Sequence, residues 1–369
     1  MTFSPRTPRG PRPLSAAALL GVSALVLAGC GSAPEEGGEA QEQATDFTGC
    51  IVSDEGGFQD RSFNQSSYEG LQAVEESMGI EVRDAQSQAE TDYEPNLNSM
   101  VQQGCDLTVS VGFALADATR EVAEANPDTD FAIVDDASID LPNVKPLVYN
   151  TAEAAFLAGY VAAGTTETGT VATYGGQKFP TVTVFMDGFA DGIEHYNETK
   201  GEDVQLLGWD KDAQDGTFVN SFTDSSAAKT ATQNFINEGA DIILPVAGQA
   251  ALGTLDAVVE ANDGGVDEVR FVWVDADGYE TLEQGNQYQL TSVLKQLSTS
   301  VQDVVESAAE DEFSNEPYVG TLENDGVGIA PYHDQEEAVG EELAGEVEQL
   351  RQDIIDGTVT VESESSPQA

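Results

Sequence analysis

From Phe47 onward the chain repeats one pattern: a short apolar run, a polar or glycine-rich loop, then a stretch with apolar residues at helical spacing. Strands of this kind, alternating with helices, imply a parallel sheet with helices on both faces. Strands are expected at 49–53, 80–85, 107–111 and 131–134, with helices near 63–78, 93–103 and 116–126. A second series places strands at 170–174, 204–207, 242–245 and 271–274. Its helices fall near 152–163, 181–197, 226–238 and 249–262. Two α/β units of similar size in about 320 residues imply two domains.

In open α/β sheets a ligand binds outside the carboxyl ends of the strands. The first such loop runs from Val52 through Asp54, Gly56, Gly57 and Asp60 to Ser62. A helix follows, with Phe63, Ser67, Leu71, Val74 and Met78 on one face. Asp60 and Ser62 are residue types that cap a helix start, and glycines let the backbone approach a ligand closely. On spacing alone an ordinary β–α connection fits equally well.

Asp54, the Gly56-Gly57 pair, Asp60 and Ser62-Phe63-Asn64 resemble the opening signature of the basic membrane protein family, the nucleoside-binding lipoproteins of ABC importers. Further motifs follow in order, so the resemblance covers about residues 47–333. It implies an α/β, two-lobe type I periplasmic-binding-protein fold, each lobe a mostly parallel sheet flanked by helices, with the ligand between them. The expected lobes are 47–150 with 276–312, and 151–275 with 313–357. It also implies that Asp54 binds ribose hydroxyls and that an aromatic, Phe63, stacks on the base, with Asn64 beside them.

Phe131-Ala-Ile-Val134-Asp135-Asp136 matches the family's second signature, although a carboxylate at a strand end can equally be a solvated loop residue. Tyr149-Asn150 through Tyr160 resembles its crossover into the second lobe. Tyr174-Gly-Gly176 is followed by Phe185-Met-Asp-Gly188-Phe189-Ala-Asp-Gly192, where the family carries Phe-x-x-Gly-Phe-x-x-Gly. One phenylalanine of this helix, Phe185 in preference to Phe189, is expected to face Phe63 across the base; both could instead be core residues. The methionine usual after the glycine pair is Gln177 here. Gly248 lies in a small-residue turn where a backbone N–H could meet ligand, and Gln249 stands where a second glycine is usual. Asp275 ends another apolar strand and Lys295 follows the next. The resemblance makes both ribose ligands; alone, Lys295 could snorkel to solvent.

The chain begins with Arg6, Arg9 and Arg12, followed by an apolar run over 14–28. That run is short for a membrane span and reads as a signal peptide, expected over 1–29. Its ending, Leu27-Ala28-Gly29-Cys30, resembles a bacterial lipobox, in which Cys30 is lipidated; a plain signal peptide is the alternative. Residues 30–46 read as a lipidated tether, and 358–369, rich in Ser and Glu, as a disordered tail.

Cys50 and Cys105 remain, each just before or within an expected strand. If the first and third strands are neighbours, a disulfide is within reach in an oxidising compartment; two buried free thiols are the alternative.

The net charge of −53 excludes nucleic acid as a partner and disfavours anionic lipid and phosphorylated ligands. Such a charge would suit a saline habitat, where ions screen self-repulsion.

Catalysis finds little support. The two histidines, His195 and His333, are far apart, and no Walker, Cys-x-x-Cys or metal-cluster motif occurs. The acids are not clustered as a calcium-assisted nucleoside hydrolase would need. The resemblance, with these exclusions, implies a lipid-anchored, monomeric substrate-binding protein on the extracytoplasmic face of the membrane. It would take nucleosides, purines first, without cofactor or metal, and deliver them to an ABC permease and its ATPase. A binding lipoprotein for another neutral ligand such as a pentose, or a surface lipoprotein for sensing or adhesion, are the alternatives.

Overall fold

The structure, a computed structural model, describes residues 46–265 and 268–367. The chain divides into a unit of residues 1–41 and one of residues 42–369; the fold below is that of the second. The expected signal peptide, Cys30 and all of the tether but Asp46 lie outside the described residues.

The elements run β1 (Thr48–Val52), α1 (Phe63–Met78), β2 (Glu81–Ala85), α2 (Tyr93–Gln102), β3 (Leu107–Val111), α3 (Ala116–Ala125), β4 (Asp130–Val134) and β5 (Val144–Tyr149). Then come α4 (Thr151–Thr165), β6 (Thr170–Gly175), α5 (Pro180–Lys200), β7 (Gln205–Leu207), the short pair β8 (Trp209–Asp210) and β9 (Asp215–Gly216), and α6 (Ser225–Asn237). The chain continues through β10 (Ile242–Val246), α7 (Leu252–Asp263), β11 (Arg270–Asp275), α8 (Gly278–Thr281) and β12 (Gln289–Lys295). It ends with α9 (Leu297–Ala309), β13 (Tyr318–Gly320), β14 (Val327–Ile329) and α10 (Glu336–Ile355).

Two six-stranded sheets result, in the orders β13-β5-β4-β3-β1-β2 and β14-β12-β11-β10-β6-β7. Every pairing within them is parallel except β12 with β14. The central strands are buried on both faces, which is why they read as unbroken apolar runs.

The chain passes between the sheets three times, after β5, after β12 and between β13 and β14. The three passages are bonded together: Asn150 N donates to Gly320 O (2.8 Å), and Gln296 N donates to Gly326 O (3.0 Å).

The lobe boundaries differ from the sequence reading after residue 275. β12 belongs to the second sheet, beside β11, although 276–312 was expected in the first lobe. The link through α8 is short enough to keep consecutive strands adjacent, so the chain crosses only at Gln296. β13 belongs to the first sheet although 313–357 was expected in the second lobe. β5 was not anticipated because Lys145 and Pro146 interrupt its apolar run.

Helix α4 is buried on nearly all sides, and α5 lies directly against it. Glycines set that distance. A Cβ on Gly188 would stand 2.2 Å from Ala152 O, on Gly192 2.0 Å from Phe156 O, and on Gly159 2.2 Å from Phe189 O. The Phe-x-x-Gly-Phe-x-x-Gly pattern is therefore first a helix-packing motif.

The tail is not disordered over 358–367. Lys211 Nζ donates to Glu362 O (2.7 Å), Ser363 Oγ to Asp187 Oδ2 (2.6 Å) and Ser366 Oγ to Asn150 Oδ1 (2.8 Å). A composition argument counts apolar area and misses serine hydroxyls that each find an acceptor.

Cys50 and Cys105 form a disulfide, with Cα atoms 5.9 Å apart, where β1 pairs with β3. A chain starting at Gly31 should take up no alkylating agent until reduced and two equivalents afterwards, read by intact mass. Uptake without reductant would remove the bridge.

Candidate functional site

The carboxyl ends of both sheets face one cavity of about 570 Å³, its opening to solvent included. Asp54, Phe63, Asn64, Asp135, Phe185, Gly248, Asp275 and Lys295 all line it. So do Phe113, Phe222, Thr181 and Gln249, of which only Gln249 was considered from sequence.

The loop after β1 is organised by two acids. Asp60 caps α1: its Oδ1 accepts from Ser62 N (3.0 Å) and Gln65 N (3.1 Å), and its Oδ2 from Asn64 N (2.8 Å). Asn64 Nδ2 donates to Asp60 Oδ2 (3.0 Å) and to Asp54 Oδ1 (2.8 Å), which also accepts from Gly56 N (2.8 Å). Asn64 thus ties Asp54 to Asp60 through its amide hydrogens. Burial pushes the Asp54 carboxyl up to about 6, although these hydrogen bonds pull it down.

Lys295, at the end of β12, lies between the lobes. Its Nζ is 2.6 Å from Asp135 Oδ2 in the first lobe and 3.7 Å from Asp275 Oδ1 in the second. All three side chains are less than a tenth exposed. Burial favours the neutral lysine, but the two carboxylates outweigh it and hold the ammonium above its ordinary range. Burial raises Asp135 against the pull of Lys295, and raises Asp275 to about 6. Among the described residues Asp275 Oδ1 has no hydrogen-bond donor at normal distance, Lys295 Nζ standing 3.7 Å away. It is a buried acceptor beside a cation, suited to a ligand hydroxyl.

Asp135 and Asp275 both adopt positive φ, 64° and 69°, directly after β4 and at the end of β11. The strands carry like sequences, Phe131-Ala-Ile-Val134-Asp135 and Phe271-Val-Trp-Val274-Asp275. Aspartate tolerates this left-handed turn where a branched residue would not.

Phenylalanines supply the apolar walls. Lys295 Nζ sits 5.2 Å from the centre of the Phe63 ring and 5.1 Å from that of Phe185. Phe185 faces the cavity, whereas Phe189, on the same helix, is wholly buried in the core beside α4. Phe113, on the loop after β3, packs at 4.4 Å on Phe179 of the opposite lobe. Phe222 seats over Gly176, where a Cβ would lie 2.5 Å from its ring; this is the physical need behind the second glycine of Tyr174-Gly-Gly176. Gly248 takes φ 52°, and Ala250 N donates to Phe222 O (2.8 Å), tying that turn to the aromatic loop.

The lobes also touch at the cavity's edge. Ser62 Oγ lies 2.8 Å from Val274 O and 3.1 Å from Asp275 Oδ2 as donor. Arg61 O accepts from Trp273 Nε1 (3.3 Å) and Thr281 Oγ1 (2.9 Å), while its guanidinium pairs with Glu283. The arrangement is a cleft between the lobes that combines flat aromatic walls with a charged, hydrogen-bonding end.

A family model described as ABC transporter substrate-binding protein PnrA-like matches residues 47–365. The CD4+ T-cell-stimulating antigen of Listeria innocua is 31% identical over 355 residues, covering 92% of this chain and 95% of that protein. The ABC transporter nucleoside-binding protein BmpA of Lactococcus lactis is 30% identical over 365 residues, covering 95% and 99%. A solute-binding protein of an ABC transporter system from Aeropyrum pernix K1 superposes with a TM-score of 0.77 over 88% of this chain and 94% of that one. At 24% identity that last likeness concerns the fold.

Proposed function

Because this chain belongs to the PnrA-like family of ABC transporter substrate-binding proteins, we propose that its ligand is a nucleoside, and a purine nucleoside first. The chain is a transporter's binding protein rather than an enzyme, and its partners are a permease and ATPase. One observation carries the choice of ligand: the Lys295 ammonium, ion-paired at 3.7 Å to an Asp275 Oδ1 without a hydrogen-bond donor among the described residues, lies 5.2 Å and 5.1 Å from the centres of the Phe63 and Phe185 rings. A ligand that satisfies both halves needs vicinal hydroxyls joined to a flat aromatic base. Asp54 and the Asp135–Lys295–Asp275 set read the ribose, Phe63 and Phe185 flank the base, Asn64 positions Asp54, and the turn at Gly248 approaches from the second lobe.

The protein works as a monomer, held on the extracytoplasmic face by a lipid on Cys30; among the described residues no helix is long and apolar enough to cross a membrane. Capture is hinge closure about the three bonded passages, with Lys295–Asp135 and the Ser62 and Arg61 contacts joining the lobes.

Calorimetry against purine and pyrimidine nucleosides, free ribose and free bases tests this reading. Nucleosides should bind well ahead of either fragment; ribose binding as tightly as a nucleoside would replace the reading with a pentose carrier. Phe63→Ala should cost about 1–3 kcal/mol with nucleosides, the usual loss for a base stack, and almost nothing with ribose. An unchanged nucleoside affinity in a folded variant would make Phe63 a core residue only.

Acid should weaken binding. Asp54 and Asp275 must be ionised to accept ribose hydroxyls, and both are raised to about 6. Between pH 8 and pH 5 affinity should therefore fall at least about tenfold. The sign for the empty protein is opposite. These acids bind protons more readily folded than unfolded, so their contribution to stability rises as pH falls through about 6. Affinity flat across that range would show that neither carboxylate accepts from the ligand.

A further inference from the structure

Behind the Asp135–Lys295 pair the cleft continues into a second chamber of about 940 Å³, its open mouth included. The two spaces share Phe113, Asp135, Thr181 and Lys295. Asp136, Ala137 and Ser138 line the chamber, as do Ser365 and Pro367 of the C-terminal strap. The strap is fixed on either side of Ser365, by Ser363 Oγ to Asp187 and Ser366 Oγ to Asn150.

We infer that this chamber is a subsite for uncharged or cationic substituents carried on the ribose end of a nucleoside, and that it refuses phosphate. The inference rests on the nucleoside reading above. Its direction follows from which walls are shared. The common wall includes Asp135 and Lys295, which the reading above places at the ribose, so the ribose end of the ligand, with its 5′ carbon, adjoins the chamber. Phe63 and Phe185 line the first cavity and not the second, so a group on the base does not.

The charge preference follows from the ions present. Asp135 and Asp136 face the chamber with one cation, Lys295, which already lies 2.6 Å from Asp135. A phosphate would meet two carboxylates and no free positive charge. Val148, Val184 and Pro180 supply apolar wall for an alkyl or thioether linker.

The test compares adenosine, adenosine bearing a 5′-(2-hydroxyethylthio) group, N6-(2-hydroxyethyl)adenosine and adenosine 5′-monophosphate by calorimetry. The 5′-thioether should bind within about fivefold of adenosine, the N6 derivative at least about tenfold more weakly and the monophosphate about a hundredfold more weakly. Ala137→Trp changes an exposed residue outside the first cavity and narrows the chamber. It should cost the 5′-thioether at least about tenfold while leaving adenosine within about twofold. Deleting residues 362–369 removes the strap wall and should weaken the 5′-thioether by about threefold or more, again sparing adenosine. The inference alone is overturned if adenosine binds but the 5′-thioether is weaker by about thirtyfold, or if Ala137→Trp affects both alike. Failure of adenosine, guanosine and inosine to bind at all removes the nucleoside reading and the subsite with it.

Discussion

Lys295→Met should destabilise the empty protein by about 3–5 kcal/mol near neutral pH, because it strands two buried carboxylates without their cation. Asp135 loses a 2.6 Å partner and Asp275 a 3.7 Å one. The loss should shrink as pH falls, since stranded acids can then take up protons. The companion change Asp135→Asn should recover part of the stability for the same reason. Affinity follows a different rule: a charged hydrogen bond in a closed cleft is worth about 1.5–3 kcal/mol, so the nucleoside should bind at least about tenfold more weakly. Asp275→Asn should lose a similar amount, and the double variant less than the sum, because each single change also strands the other charge. A 2′,3′-dideoxynucleoside should bind the unaltered protein poorly and be much less sensitive to either change. Equal losses for both ligands would show that the pair only joins the lobes. Chemical denaturation at pH 8 and pH 5, with calorimetry of the two ligands, separates these effects.

Lys295 stands at the end of an apolar strand, and Asp54, Asp135 and Asp275 stand at or just past strand ends, but position alone fits solvated residues equally well, and the family resemblance is what marked them as site residues. Parallel sheets gather strand ends, so residues distant in the chain meet without any pairwise signal. That logic also reaches Phe113, which follows β3 after Gly112, and it was missed because no charge marks the turn. Phe222 lies in an irregular loop before α6, where neither periodicity nor strand position gives a sign. The lobe to which β12 belongs depends on where a short link crosses, and apolar patterning is blind to that. Asn64 shows a further limit: its place in the site was legible, but its amide donates to Asp54 and Asp60, which only coordinates reveal. The tail fails for a related reason, since its order comes from individual serine hydrogen bonds rather than from apolar surface.

The glycines of α5 shape the site without touching it. Gly192→Val should lower stability by about 3 kcal/mol or more, at or beyond the upper end for overpacking, because the intruding atoms meet backbone that cannot rotate away. A single Cβ there would already stand 2.0 Å from Phe156 O and 2.9 Å from Tyr160 N, so α5 must slide or tilt against α4. Phe185 rides on α5 two turns earlier, and a Cβ on Gly188 between them would stand 2.2 Å from Ala152 O. Displacing α5 therefore moves an aromatic wall of the cavity, and nucleoside affinity should fall although residue 192 is outside it. Free ribose, which makes no stack on Phe185, should be affected less. Gly201→Ala serves as the control for a glycine change on the same helix end: its Cβ meets nothing within 4 Å, and only its positive φ of 72° resists the substitution. That change should cost about 1 kcal/mol in stability and nothing in affinity. Urea denaturation with calorimetry of both ligands decides the matter. If Gly192→Val keeps full stability, the helices have room to part and the close packing of α4 on α5 is not what places Phe185.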